Sequence, residues 1–150
     1  MPTLFLIRHA EPESPFRWSG PDRDRALTAL GRDQAAWAAA MLKGEGVTEV
    51  RTSPYERCIQ TAQPIADAAG IALILDDSLG IGGRVDLPTG DGVFVLCGHS
   101  DGIPVALTRL GIACRACARG SIWRVELDLN GIALSHSYHE PKPDQGQGRK

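Results

Sequence analysis

Short unbroken apolar runs alternate with stretches of helical periodicity along most of this chain. The first run, Thr3-Leu4-Phe5-Leu6-Ile7, predicts a buried strand over 3–7. Residues 10–27 are rich in Pro, Asp, Glu and Arg and read as a polar loop. Thr28 caps a predicted helix running to about Lys43, with Trp37, Ala38, Met41 and Leu42 on one face and Gly44 as its stop. Residues 47–52 predict a short strand. Ser53 as N-cap, Pro54 as first helical residue and Glu56 as capping-box partner open a second helix. Cys58, Ala62, Ile65, Ala66 and Ala69 share a face of it, and Gly70 ends it. Residues 71–75 predict a strand, 76–92 a loop with room for a turn of helix, and 93–97 another strand. A helix follows His99, with Pro104 in its first turn and Gly111 at its end. Residues 123–129 and 132–137 predict a terminal hairpin with Asn130-Gly131 as a two-residue turn. From Glu140 the chain is Pro, Gly, Gln and charge, which predicts a flexible tail over 140–150.

Strand and helix alternate, so the expected class is α/β. The arrangement is three-layered (αβα), a mostly parallel sheet with helices on both faces and an antiparallel edge from the hairpin. One domain over 1–139 is expected. The 150 residues suffice for a single core, and 43% hydrophobic with 23% charged residues is an ordinary globular balance. A net charge of −2 argues against nucleic-acid binding, so any anion site must be local. No apolar stretch reaches the length of a membrane span, and no leader pattern is visible; a cytoplasmic location is the expectation. Cys58 and Cys97 read as small buried hydrophobes. Cys114 and Cys117 form a lone Cys-x-x-Cys with no second pair, so neither zinc nor another metal is expected there.

The chemistry is concentrated after two of the strands. Arg8-His9 follows the first run directly, and His99 follows Val93-Phe94-Val95-Leu96-Cys97 with one glycine between. Ligands bind at the carboxyl edge of open α/β sheets. An imidazole beside a guanidinium there points to a nucleophile next to an anion clamp.

Four segments resemble the histidine phosphatase superfamily, also called phosphoglycerate mutase-like. Leu6-Ile7-Arg8-His9-Ala10-Glu11 is similar to its Arg-His-Gly signature, and Leu27-Thr28-Ala29-Leu30-Gly31-Arg32-Asp33-Gln34-Ala35 to its Leu-Thr-x-x-Gly-x-x-Gln-Ala helix start. Thr52-Ser53-Pro54-Tyr55-Glu56-Arg57-Cys58-Ile59-Gln60-Thr61-Ala62 resembles its Ser-Pro-x-x-Arg helix, and Gly98-His99-Ser100 its second-histidine motif. Order and spacing agree over roughly residues 3–110. The resemblance implies a phosphoglycerate mutase-like fold, His9 as nucleophile, and Arg8, Arg57 and His99 as catalytic phosphate ligands. No cofactor and no metal are implied. Physical chemistry agrees: a phosphoryl transition state spreads charge over its non-bridging oxygens. Two planar guanidinium forks answer that charge. Neutral His9 can attack phosphorus, and a protonated His99 would add a donor.

The resemblance departs in two places. Pro12 and Pro15 stand where the signature has threonine and asparagine. Ile81 stands where the family has its general-acid glutamate, in Asp76-Asp77-Ser78-Leu79-Gly80-Ile81. Asp77, Asp101 and Glu11 are the substitute candidates, with Asp101 also readable as the N-cap of the following helix. Without a strong acid, the substrate needs a good leaving group: an aryl oxygen, or a phosphohistidine imidazole that carries its own proton. The short loop before the fourth strand leaves no room for a long cap, as in small bacterial phosphohistidine phosphatases. The expected partner is therefore a phosphorylated small molecule or a phosphoprotein, with Trp18 as a candidate contact. A phosphoglycerate-type mutase and a non-catalytic phosphate-binding module are the rival expectations.

Overall fold

The strand Thr3–Arg8 (β1) is apolar from Leu4 to Ile7, and its pleat decides where the helices sit. A computed structural model describes residues 1–142. After β1 come Ala29–Leu42 (α1), Glu49–Thr52 (β2), Glu56–Ala69 (α2), Leu73–Leu75 (β3), Val93–Gly98 (β4), Gly102–Arg109 (α3), Ile122–Leu127 (β5) and Ala133–His139 (β6). Leu4 and Leu6 pack with Leu96, Trp123 and the α3 residues Ile103 and Leu107 on one face. Phe5 and Ile7 point the other way, onto Ala38 and Leu42 of α1 and Ala62 and Ile65 of α2. Alternate residues of one strand thus feed two cores, and each fully buried Leu or Ile contributes roughly 1.5–3 kcal/mol. The result is the three-layer α/β arrangement that the alternation predicts.

The sheet order is β3-β2-β4-β1-β5-β6. β3, β2, β4 and β1 are parallel, whereas β5 and β6 are antiparallel additions. β1 and β4 are adjacent and in register, Arg8 facing Gly98. His9 continues the ladder, its N–H donating to the carbonyl of Gly98 at 3.0 Å.

Several boundaries differ from the sequence-based expectation for local reasons. α2 begins at Glu56 with no side-chain cap; the Ser53 hydroxyl accepts from the Tyr55 N–H at 3.3 Å but serves another partner as well. β3 starts at Leu73, because the Ile71 amide donates to Ala66 and closes the end of α2. Asp101 makes no capping hydrogen bond at α3. The Asn130-Gly131 pair is not a two-residue hairpin turn. Asp128 accepts from the amides of Asn130 and Ile132, and this widens the connection to residues 128–132. Met41 is 40% exposed, so the buried face of α1 runs through Gly31, Ala35, Ala38 and Leu42. At Gly31 an added Cβ would lie 2.1 Å from the Glu11 carbonyl oxygen, so only glycine lets α1 approach the segment after His9.

The polar loop 10–27 is tied across its base by a bridge between Pro12 and Leu27 and carries a short 3-10 turn, Asp22–Asp24. Of the predicted tail, Tyr138 donates to Glu140 at 2.7 Å, and residues 143–150 lie outside the described part. Among the described residues no helix is long and apolar enough to cross a membrane.

Candidate active site

Both histidines stand at the carboxyl ends of the two central parallel strands, where a crossover topology leaves a crevice. Their ring centroids are 5.3 Å apart at an interplanar angle of 67°. Both are buried. Nδ1 of His9 is 2.8 Å from the carbonyl oxygen of Ala10. A carbonyl only accepts, so Nδ1 carries the proton and Nε2 keeps its lone pair. Burial, opposed by the hydrogen bond to the Ala10 carbonyl and reinforced by the lesser effects of His99, Arg57 and Arg8, pushes the His9 pKa down to about 3. The imidazole is therefore neutral at physiological pH.

A short hydrogen-bond chain fixes the backbone here. The Ala10 N–H donates to Thr61 Oγ1 at 2.9 Å, and Thr61 donates to the carbonyl of Arg57 at 2.7 Å. The first turn of α2 is thereby bound to the signature segment. Gln34 reaches in from α1, accepting from the Glu11 N–H at 2.9 Å.

His99 is held from behind. Ser53 Oγ lies 2.9 Å from its Nε2, and Cys58 Sγ lies 3.5 Å from the same atom while donating to the Gly98 carbonyl. Tyr55 packs edge-on to the His99 ring at 4.9 Å and beneath the Arg57 guanidinium at 5.0 Å. From the sequence Ser53 reads only as a helix cap. Its contact with a histidine far along the chain has no local signature.

The two arginines are engaged differently. Arg8 Nη1 donates to the Cys117 carbonyl at 2.8 Å, and its Nε is buried without a hydrogen-bond partner among the described residues. Burial pushes its pKa below the ordinary value, with Arg119 nearby adding to that; a guanidinium remains charged all the same. Arg57 is buried and donates to the Asp22 carbonyl oxygen at 3.1 Å and to its carboxylate at 3.3 Å. Asp22 also pairs with Arg25. The hydrogen bond from Arg25, together with the Arg57 charge, holds its carboxyl below the usual range despite some desolvation. Nothing in the sequence marked Asp22 out. The loop 10–27 brings it over α2.

Among the described residues, none of the three candidate acids is bonded to the clustered histidines and arginines. Asp101 accepts from the Gly82 N–H at 2.8 Å and ties the loop 76–92 to α3. Asp77 is exposed on a 3-10 turn, and Glu11 accepts from the Thr28 hydroxyl at 2.8 Å. Among the described residues no hydrogen bond or ion pair joins any of the three to His9, His99, Arg8 or Arg57. Trp18 is half-buried and donates to Pro21 within its own loop. All four cysteines are free, Cys58 and Cys97 buried and Cys114 and Cys117 half-buried. Among the described residues no three His, Cys, Asp or Glu side chains cluster to hold a metal ion.

The family model described as "Histidine phosphatase superfamily (branch 1)" matches residues 4–80. A curated protein of Yersinia enterocolitica, "Probable phosphoglycerate mutase GpmB", is 38% identical over 77 residues, covering 51% of this chain and 36% of that protein. The chain thus spans little more than a third of the curated relatives it matches. Among solved structures, the protein histidine phosphatase SixA complexed with tungstate superposes with a TM-score of 0.80 at 22% identity, over 92% of this chain and 96% of that one. A SixA of Nakamurella multipartitia, described as a candidate phosphohistidine phosphatase, gives 0.68 at 25%, over 93% and 95%. Phosphoserine phosphatase of Entamoeba histolytica, in complex with 3-phosphoglyceric acid, gives 0.69 at 18%, over 95% and 98%.

Proposed function

The chain belongs to the histidine phosphatase superfamily, and we propose that it is a phosphatase that passes a phosphoryl group through His9 to water. The observation that carries the reading is the state of His9. It is neutral and buried, and its Nδ1 proton is committed to Ala10, so the Nε2 lone pair is the nucleophile. Nε2 attacks phosphorus and forms the N–P bond, and the bond to the leaving group breaks. Water then attacks the phosphohistidine, the N–P bond breaks, and orthophosphate leaves with His9 neutral again.

Arg8, Arg57 and His99 are assigned to the non-bridging oxygens. The two guanidinium charges and the donors of all three stand before the reaction begins, so little solvent reorganisation is needed as the transition state forms. The Ser53 contact occupies Nε2 of His99 and leaves Nδ1 for the ligand. Phosphohistidine protein is the favoured substrate, with a small phosphomonoester as the other candidate. The leaving imidazole of phosphohistidine departs with its own proton, which suits a site where Asp101 and Glu11 are bonded elsewhere and Asp77 is exposed on its turn. An alkoxide leaving group without an acid would lose about 10²–10⁴-fold in rate. The loop 76–92 has one short 3-10 turn and adds no cap, which disfavours a mutase that must keep its intermediate from water.

The test is phosphate release from a phosphohistidine peptide and from p-nitrophenyl phosphate. His9→Ala is expected to lower kcat by at least about 10³-fold, and an acid-labile phosphoryl adduct should appear on His9 in the unaltered protein. Comparable turnover by His9→Ala would defeat the mechanism. Isomerised phosphoglycerate in place of released phosphate would point to the mutase.

A further inference from the structure

One cation at the mouth of the site has no part in the phosphate clamp. Residues 118–121 form a tight turn, with the Ser121 N–H donating to the Ala118 carbonyl at 3.0 Å. Gly120, third in the turn, has φ +77°, the left-handed conformation that a type II turn demands at that position. Its N–H donates to the carbonyls of both Arg8 and His9, at 3.0 and 3.1 Å. The turn is thus bolted to the backbone of the nucleophile. Arg119, second in the turn, is projected beside Arg8 by that anchorage. It is exposed, and among the described residues it makes no ion pair or side-chain hydrogen bond. Arg25, by contrast, is held by Asp22 and by the Glu13 carbonyl.

Arg119 lies between two open clefts. One, of about 550 Å³, is lined by Arg8, Gln34 and Arg119. The other, of about 480 Å³, runs past Arg17 and Arg25 and is edged by Phe16, which is 96% exposed. Acidic side chains reach these clefts too: Glu11 is bonded to Thr28 and Glu140 to Tyr138, while the Glu13 carboxylate makes no ion pair or hydrogen bond among the described residues. Orthophosphate needs only the clamp. A trough of this length, in which Arg119 and Arg17 both lack an ion pair or side-chain hydrogen bond among the described residues, suits an extended polypeptide.

We propose that Arg119 is a specificity-determining residue that pairs with a carboxylate of a phosphoprotein substrate, within a few residues of its phosphorylated side chain. This rests on the phosphatase reading above. A rigid turn lowers the ordering cost of the contact, and a guanidinium–carboxylate pair can be bidentate.

The experiment compares kcat/KM for two phosphohistidine peptides that differ only in flanking Asp or Asn residues. The unaltered protein is expected to favour the acidic peptide by about tenfold, a partly exposed charge-assisted pair. Arg119→Gln should bring that ratio close to one, Arg119→Lys should restore part of it, and Arg119→Glu should invert it in favour of a Lys-flanked peptide. Turnover of both peptides with a ratio near one in the unaltered protein overturns the proposal and leaves the phosphatase reading intact. A ratio that Arg119→Gln leaves unchanged overturns it too, as does discrimination confined to small carboxylated phosphomonoesters. Absence of turnover on either peptide removes the functional reading on which it depends.

Discussion

The buried guanidinium of Arg57 is covered by the carboxylate of Asp22, whose side chain is 53% exposed. The guanidinium assigned above to the phosphate is thus already paired, through a contact at 3.3 Å, with a loop residue. Asp22 is ionised at neutral pH, since Arg25 and Arg57 hold its carboxyl low, so it is no proton donor there. Its charge opposes any anion that binds against Arg57.

Asp22→Asn keeps the shape and removes that opposition. Vanadate inhibition should tighten roughly fivefold, the effect of relieving about 1 kcal/mol of repulsion near the surface. An inhibition constant that rises would instead assign Asp22 to orienting Arg57, and the measurement is a vanadate titration at constant pH and salt.

His9 also makes stability depend on pH in a defined direction. Its folded pKa, about 3, lies below the unfolded value of about 6.5. Between those values the unfolded chain takes up a proton that the folded one refuses, so stability falls as pH drops through 6.5 towards 3. At pH 5 the loss is about 2 kcal/mol relative to pH 7. Urea midpoints at pH 7 and pH 5 should show it, and His9→Asn should remove most of the difference. An equal acid sensitivity in the two proteins would exclude His9 as the source.

Ser53 supports His99 from a position fully shielded from solvent. Ser53→Ala leaves that ring nitrogen without its oxygen partner and should lower kcat about tenfold, at a stability cost of about 1–3 kcal/mol. The telling readout is the His99 ring shift in NMR, which should move in the variant. Unchanged shifts and unchanged kcat would make Ser53 a bystander.

Much of the fold was legible because its signals are local. The run at 3–7, the run at 93–97 and the capped helix after Thr28 each announce themselves within a dozen residues, and the structure places β1, β4 and α1 there. Arg8, His9, Arg57 and His99 fall in three of the four ordered motifs, and in the structure His99, Arg57 and Arg8 lie close enough to His9 to act on its charge. What sequence could not carry is competition. Ser53 has the ideal composition for a cap, yet its hydroxyl turns to a histidine 46 positions away. Asp101 looks like a cap and is drawn to Gly82. Asp128 outbids the Asn130-Gly131 pair for control of the last turn. Asp22 and Arg119 sit in segments without periodicity, where nothing short of the fold reveals which strand end they will face.

The pairing of Arg8 with Gly98 has a mechanical consequence. His9 and His99 are welded to the ends of the two innermost strands, so prising them apart requires unzipping the middle of the sheet, an event as rare as global unfolding. The groups that would sort one substrate from another hang instead on surface turns, which can be rewritten by mutation while the reactive pair keeps its spacing.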